Sequence, residues 1–446
     1  MGMRELTKAG SALSLSSKMV GGFSSHEFNA KRRPGKEVGV ESWYSYYAGF
    51  TEGFAKSAIL AAELPVGSKI LDPWNGCGTT TKVADSLGYS AIGFDINPVA
   101  TLVASAKLAR ASDALYVIGL ASRLAKGSFL EEGRVKNNDP LRGWLCPAVI
   151  RTYRAIERGV LENLADRDGK ALKPSEVALP PLASFLMLAL LRSARELSGV
   201  QKTSNPTWMK KRERPPKYRP EDLCVKWIAN LREMGENLIE VEERPSIGSK
   251  VSLGDSRLLP LEDSTIDLVV TSPPYCTRID YVVSTSFELA ALGVHGDKSD
   301  YDMLRRKSMG TPLARKGCVS PSLASFPDGV ASILESIKRH PSKSSESYYF
   351  KTYAQYFSDS MLSIKELRRV LKPGGVAALV VQSSYYKDVY VNLPELYVEM
   401  AQSLSLNSEI AVSYDVSRFL SQINSRSSKY REKTKHSEAV VIMEAI

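Results

Sequence analysis

Thr271-Ser272-Pro273-Pro274-Tyr275 follows the largely apolar run 266–270 and brings a small hydroxyl, two prolines and an aromatic ring to one point of the chain. Proline fixes φ and restrains the residue before it, so Ser272, Pro273 and Pro274 make a corner whose carbonyls point in set directions. The Ser272 hydroxyl and the Pro273 carbonyl are acceptors for the hydrogens of an exocyclic amine, and Tyr275 offers a platform for a flat ring. The chemistry open to such a corner is methylation of an amino group on a base. The plainer reading is a strand-ending turn that happens to hold two prolines, and the pentapeptide alone does not separate the two. No Ser/His/Asp arrangement beside Ser272 activates it as a nucleophile. Cys276 is not part of a proline-cysteine dipeptide, which argues against covalent attack on a ring carbon.

About 200 residues upstream, Asp72-Pro73-Trp74-Asn75-Gly76-Cys77-Gly78-Thr79-Thr80 stands between the strand-like 68–71 and the helix-like 81–87. Strand, glycine turn and helix is the order in which the first turn of a parallel α/β sheet meets a nucleotide-like ligand, since Gly76 and Gly78 allow close backbone approach. The next short strand, 91–95, ends in Asp95, 17 residues past Gly78. A carboxylate there can accept hydrogen bonds from ribose hydroxyls. Arg278, Asp280 and Tyr281 follow the proline corner at the expected mouth of the pocket.

These motifs resemble those of DNA amino-methyltransferases that depend on S-adenosylmethionine. DPWNGCGTT is similar to the family's cofactor loop, usually written DPFxGSGTT, with Trp74 in place of phenylalanine and Cys77 in place of serine. The resemblance implies S-adenosylmethionine binding by Asp72, Pro73, Trp74, Asn75, Gly76, Gly78, Thr79 and Thr80, with Asp95 as the ribose acid and Ile96 beside it. Residues 46–55 sit where the family carries a further cofactor-binding helix, which adds Tyr47 and Phe50. Asp255 and Ser256 fall where the family keeps a residue near the adenine, although Asp255 can equally shape a turn. TSPPY resembles the catalytic motif, so Ser272, Pro273, Pro274 and Tyr275 are the catalytic candidates. Its serine form is more often associated with N4-methylcytosine. An N6-adenine enzyme shares every motif, an RNA guanine amino-methyltransferase has a similar fold, and a catalytically silent DNA-binding subunit would keep it. The order of motifs, cofactor loop first with a long insert before the corner, is similar to the family's α-type. Double-stranded DNA is the implied partner, with a cognate restriction endonuclease or another defence component as companion.

The elements that must position these residues follow from periodicity. The expected fold class is α/β: a Rossmann-like class I methyltransferase sheet with helices on both faces, plus a mostly helical insertion. Residues 1–41 read as a polar basic arm, solvated or DNA-contacting, whose basic part is 31–36. Residues 42–108 and 244–446 read as the catalytic domain, with an irregular insertion at about 293–347. Between them, 109–243 carries apolar residues at three-to-four spacing in 114–124, 148–164, 182–197 and 223–239, which predicts four helices. This insertion is the candidate target-recognition region. In its loop 201–220, Lys210, Lys211, Arg212, Arg214 and their basic neighbours are interleaved with Trp208 and Tyr218 against one acid, Glu213. Cations neutralise phosphates and rings stack on bases, so these residues and Arg278 are DNA-binding candidates, with a solvated linker as the alternative. Further basic residues, among them Arg426 and Lys429, precede the last strand.

Length and charge fit this outline. A chain of 446 residues exceeds one usual domain, and a net charge of +10 favours a polyanionic partner without requiring one. Five scattered cysteines and four histidines form neither a CxxC pair nor a zinc pattern, so no metal is expected and the thiols read as reduced. The N-terminal residues lack a signal peptide's apolar stretch and no run is long enough to span a bilayer, which leads to the expectation of a cytoplasmic protein.

Overall fold

The run 266–271 is largely apolar, with Asp267 near its start, and Leu268, Val269, Val270 and Thr271 are all fully buried. A strand of that kind belongs in the middle of a sheet covered on both sides by helices. A computed structural model describes residues 19, 38–45, 49–126, 135–165, 173, 175–176, 178–201, 209–239, 248–276, 280–294, 299–313, 322–416 and 436–446.

After a 3-10 turn at Gly39–Trp43, helix α1 (Glu52–Ala61) leads to strand β1 (Lys69–Asp72), helix α2 (Thr79–Ser86), strand β2 (Ser90–Asp95) and helix α3 (Pro98–Ala106). The insertion then contributes α4 (Ala111–Lys126), α5 (Pro147–Leu164), α6 (Pro181–Glu196), the paired short strands β3 (Val200–Gln201) and β4 (Lys210–Lys211), and α7 (Pro220–Ile239). The sheet resumes with β5 (Lys250–Leu253) and β6 (Ile266–Thr271). Helices α8 (Tyr281–Ser284), α9 (Ser286–Ala291), α10 (Ser299–Lys307), α11 (Asp328–Arg339) and α12 (Phe350–Val370) precede β7 (Leu371–Gln382). A hairpin of β8 (Ser384–Tyr386) and β9 (Val389–Val391), helix α13 (Leu393–Ser403), and strands β10 (Leu406–Val416) and β11 (His436–Ala445) follow.

The seven-stranded sheet has the order β10-β11-β7-β6-β1-β2-β5. All its pairs are parallel except those of β11, which runs antiparallel to both β7 and β10. The chain moves outward from β1 to β2 and β5 and then crosses to the other side of β1 to lay down β6. The crevice beyond the carboxyl ends of β1 and β6 is therefore a topological switch point, where ligands of open α/β sheets bind. Alternate residues of β7 face opposite layers: Val376, Ala378 and Val380 pack with Phe54, Ile59 and Val83 of α1 and α2, whereas Ala377, Leu379 and Val381 pack with α11, α12 and α13.

All four predicted insertion helices form, and they bury their apolar faces in a core shared with α3 and α9. The insertion is thus fused to the flank of the seven-stranded sheet. Three expectations change. The arm does not run free to residue 41: Val40 and Trp43 are buried in the insertion core, with the Trp43 and Phe185 rings T-shaped at 5.3 Å between centroids and the Trp43 Nε1 donating to Asn237 at 3.0 Å. Met19 is also fully buried, in the cluster of Phe50 and Phe54, while the basic stretch 31–36 lies outside the described residues. The segment 293–347 is largely helical where described, because Val330, Leu334 and Ile337 make an apolar stripe that Ser, Lys and Gly elsewhere in the segment obscure. The stretch 209–219 begins with a strand, β4, where Val200 pairs with Lys211. No helix among the described residues is long and apolar enough to cross a membrane.

Candidate active site

Both motifs emerge at the switch point, side by side. Leu71 of β1 lies opposite Val269 of β6, so Asp72 and Thr271 leave the sheet as neighbours. The Thr271 hydroxyl donates to Asp72 Oδ1 at 2.6 Å, and the Thr80 hydroxyl donates to the Val270 carbonyl at 2.9 Å, tying the start of α2 to β6. Residues 199 apart in sequence are thereby fixed in one wall.

The loop after β1 is built from backbone. Gly78 caps α2 with φ +83°, a left-handed conformation in which a Cβ would lie 2.7 Å from the Ala104 Cβ. Gly76 donates its amide to Asp95 Oδ2 at 2.9 Å and Asn97 donates its amide to Oδ1 at 2.8 Å. Each Asp95 oxygen keeps a further lone pair for a ligand hydroxyl. Burial raises Asp95 to about 6; the amides of Asn97, Gly76 and Ile96 pull the other way. Asp72 is likewise raised to about 6 by burial, opposed by the hydroxyls of Thr271 and Thr80. Asn75 accepts from Thr81 at 3.2 Å, while its buried Nδ2 has no partner among the described residues. An orphan buried donor is costly, and a ligand acceptor would satisfy it. Gly93 makes room for this side chain, since a Cβ there would fall 2.5 Å from it.

These groups line one cleft that opens to solvent, concave as small-molecule sites are. Phe50, Asp72, Pro73, Trp74, Asn75, Gly76, Thr79, Asp95 and Ile96 are on its wall, as are Asp255, Ser256 and all four catalytic candidates. Gly78 and Thr80 stand behind the wall and shape it. Asp255 is held in a fork by Arg257, with Nε at 2.8 Å and a terminal nitrogen at 2.6 Å, and accepts the Arg257 amide at 3.1 Å. Arg257 is anchored in turn by buried Asp359 at 2.9 Å. The turn-shaping role of Asp255 is therefore seen directly. Tyr281, Lys307 and Met309 also reach the cleft. Lys307 and Met309 lie in the expected irregular segment and carry no motif that would have drawn attention to them. Tyr47, Trp208 and Arg278 lie outside the described residues.

At the corner, the Ser272 hydroxyl donates to the Val380 carbonyl at 3.0 Å, which commits its hydrogen, and its side chain also meets the Tyr275 hydroxyl. The Pro274 carbonyl accepts from Tyr356 at 3.0 Å, so a buried phenol holds the corner from beneath. Tyr275 is half-buried and donates to Glu438 at 3.2 Å. Cys276 is buried beside Ser384, and burial pushes its thiol up to about 11, far from a reactive thiolate.

The basic residues Lys210, Lys211, Arg212 and Arg214 are exposed and make no ion pair among the described residues. Lys211 lies 5.6 Å from the Trp144 ring centroid, and Trp144 meets Phe287 of α9 edge-on at 5.8 Å. Arg154 of α5 donates to the Ala291 carbonyl at 2.6 Å, and Arg195 of α6 pairs with Glu288. The insertion thus grips the segment that runs on from Tyr281 at the cleft.

A parallel sheet of this order with one antiparallel strand, an acid closing β2, and a glycine loop at the switch point together define a class I methyltransferase fold. Residues 266–442 match the DNA methylase family of N6 and N4 amino-methyltransferases. The chain is 26% identical over 313 residues to the type II methyltransferase M.BsoBI of Geobacillus stearothermophilus, covering 63% of this chain and 58% of that one. It is 26% identical over 165 residues to M.AvaI of Nostoc sp., also a type II methyltransferase, covering 34% of this chain and 33% of that one. The chain thus spans between a third and three-fifths of the length of these relatives. Among solved structures it is similar to the YcgJ protein of Bacillus subtilis, at 10% identity and a TM-score of 0.33, over 88% of this chain and 97% of that one. The similarity in sequence is thus to amino-methyltransferases of DNA, and type II enzymes of this family use S-adenosylmethionine.

Proposed function

We propose that the protein methylates the exocyclic amino group of a base in double-stranded DNA, with cytosine N4 as the target. The observation that carries the reading is the 2.6 Å bond from Thr271 to Asp72, which seats an amine-accepting corner next to an acidic, glycine-lined cofactor cleft. Asp72, Asn75 and Asp95 have the chemistry to hold S-adenosylmethionine: carboxylates for its amino group and ribose hydroxyls, and the orphan Asn75 amide for an acceptor. When bound there, the cofactor supplies an electrophilic methyl group.

The chain's own residues do the rest by orientation. A target base rotated out of the duplex presents its amine to Ser272 Oγ and the Pro273 carbonyl, which draw its hydrogens aside and leave the nitrogen lone pair facing the methyl donor. With the cofactor bound, transfer would exchange its carbon–sulfur bond for a carbon–nitrogen bond to the base, and the amine would shed one proton to solvent. Unstacking the base costs a few kcal/mol, and an aromatic platform such as Tyr275 offsets roughly 1–3 kcal/mol of it. The serine at position 272 favours cytosine by resemblance to the motif's N4 form. The exposed cations of 210–214 are suited to the phosphates flanking the site. Type II in the relatives' names supports a place beside a restriction endonuclease or another defence component.

The test is Ser272→Ala, assayed for methyl transfer to unmodified DNA. Loss of one orienting acceptor should lower the rate by about 10- to 100-fold while cofactor binding stays intact. Transfer at the full rate would remove Ser272 from the mechanism.

A further inference from the structure

Because β11 runs against the parallel strands, its first residues lie at the same edge of the sheet as the proline corner. Glu438 is the third residue of that strand, opposite Gln382 at the exit of β7 and Tyr414 of β10. Two bonds pin it there: the Ser383 amide donates to the Ser437 carbonyl and the Ser437 amide donates to Ser383 Oγ, both at 2.8 Å. From this anchored position the Glu438 carboxylate accepts the Tyr275 hydroxyl at 3.2 Å. A phenol ring attached to a corner made of prolines has one main freedom, rotation about its side-chain torsions, and the Glu438 bond at its far end restrains it beside the shorter-range contact to the Ser272 side chain.

We propose that Glu438 is a positioning residue for the target base: it fixes the tilt of the Tyr275 ring, and hence the plane on which the base stacks over Ser272. The proposal rests on the reading of Tyr275 as a base platform. Tyr275 remains a phenol, since burial first and the Glu438 charge second push its ionisation well above the usual range, so it is always available as the donor. The acid comes from a strand 163 residues away and belongs to no motif of the corner. Its effect is on orientation, so a neutral residue with the same acceptor should replace it.

The experiment uses the full chain with 3-fluorotyrosine introduced at position 275, read by fluorine NMR, alongside methyl transfer to unmodified DNA. Glu438→Ala should replace one sharp resonance by a broadened or doubled one, the two ring orientations being distinguishable, and should slow transfer about tenfold at unchanged cofactor affinity. Glu438→Gln, whose amide oxygen accepts the same bond, should restore the sharp resonance and most of the rate. Tyr275→Phe should match the alanine variant, and combining the two should cost nothing further. An unchanged fluorine spectrum in Glu438→Ala, or additive losses in the double variant, would overturn the proposal. If the wild type transfers no methyl group to DNA while the spectrum still responds, the functional reading falls and the positioning of Tyr275 stands.

Discussion

Gly78→Ala tests whether the cofactor loop is as tightly built as its geometry implies. At φ +83° an alanine occupies a left-handed conformation, which costs about 1–2 kcal/mol for a residue with a Cβ. The new methyl would also fall 2.7 Å from Ala104 Cβ, 2.9 Å from Ala104 Cα and 3.2 Å from Thr81 Oγ1. Ala104 is fully buried in α3, so neither it nor the loop can yield freely; overpacking of this kind costs about 1–3 kcal/mol. The total, about 2–5 kcal/mol, will divide between global stability and cofactor binding, because Gly78 belongs to the loop whose Gly76 amide is bonded to Asp95. Urea unfolding and calorimetric titration with S-adenosylmethionine, run on the same preparation, measure the two shares. If binding carried the whole loss, affinity would fall by at least about 30-fold. Adding Ala104→Gly removes the 2.7 Å contact but leaves the 2.9 Å one, so recovery should be partial. Gly78→Ala with stability and affinity both within about 0.5 kcal/mol of wild type would refute the packing argument.

The raised carboxylates give a pH signature. Asp72 and Asp95 are each held near about 6 against an ordinary 3.8, so the fold binds their protons more tightly than the unfolded chain does, and their contribution to stability weakens as pH rises from about 4 through about 6. Cofactor binding needs both ionised and has the opposite sign: titrations should lose affinity as pH falls through about 6 while thermal unfolding shows no destabilisation from these two groups. Affinity that stays flat from pH 8 to about 5 would remove them from the site. For the insertion, neutralising Lys210, Lys211, Arg212 and Arg214 together should weaken DNA binding and reduce the slope of log affinity against log salt by about 3–4, if each meets one phosphate. Unchanged filter-binding curves across salt would reject that face as the DNA contact.

The sheet's centre and the meeting of the two motifs in one cleft were legible because short-range patterns encode them. The apolar run at 266–270, the glycines at 76 and 78 and the acid at 95 each specify their own local geometry, and the parallel fold brings them together without further information. The insertion helices were equally clear from their spacing, since their faces are buried against one another. What escaped notice was set by long-range contacts. Strand β10 is an edge strand whose polar, half-exposed residues give no buried alternation, as edge strands often do not. Glu438 gains its meaning only from the antiparallel course of β11, and Arg257 only from Asp359, 102 positions later. Val40 was assigned to the end of a solvated arm, and Trp43 beside it drew no notice, because one aromatic in a polar stretch does not reveal that helices α6 and α7 will enclose it.

The central claim is tested most directly by nucleoside mass spectrometry of unmodified double-stranded DNA and, in parallel, RNA, each incubated with the purified protein and isotopically labelled S-adenosylmethionine. The account predicts labelled N4-methylcytosine from the DNA and no labelled nucleoside from the RNA. Labelled N6-methyladenine would move the target to adenine and leave the mechanism intact, whereas cofactor-bound, folded protein that labels no DNA base would contradict the account.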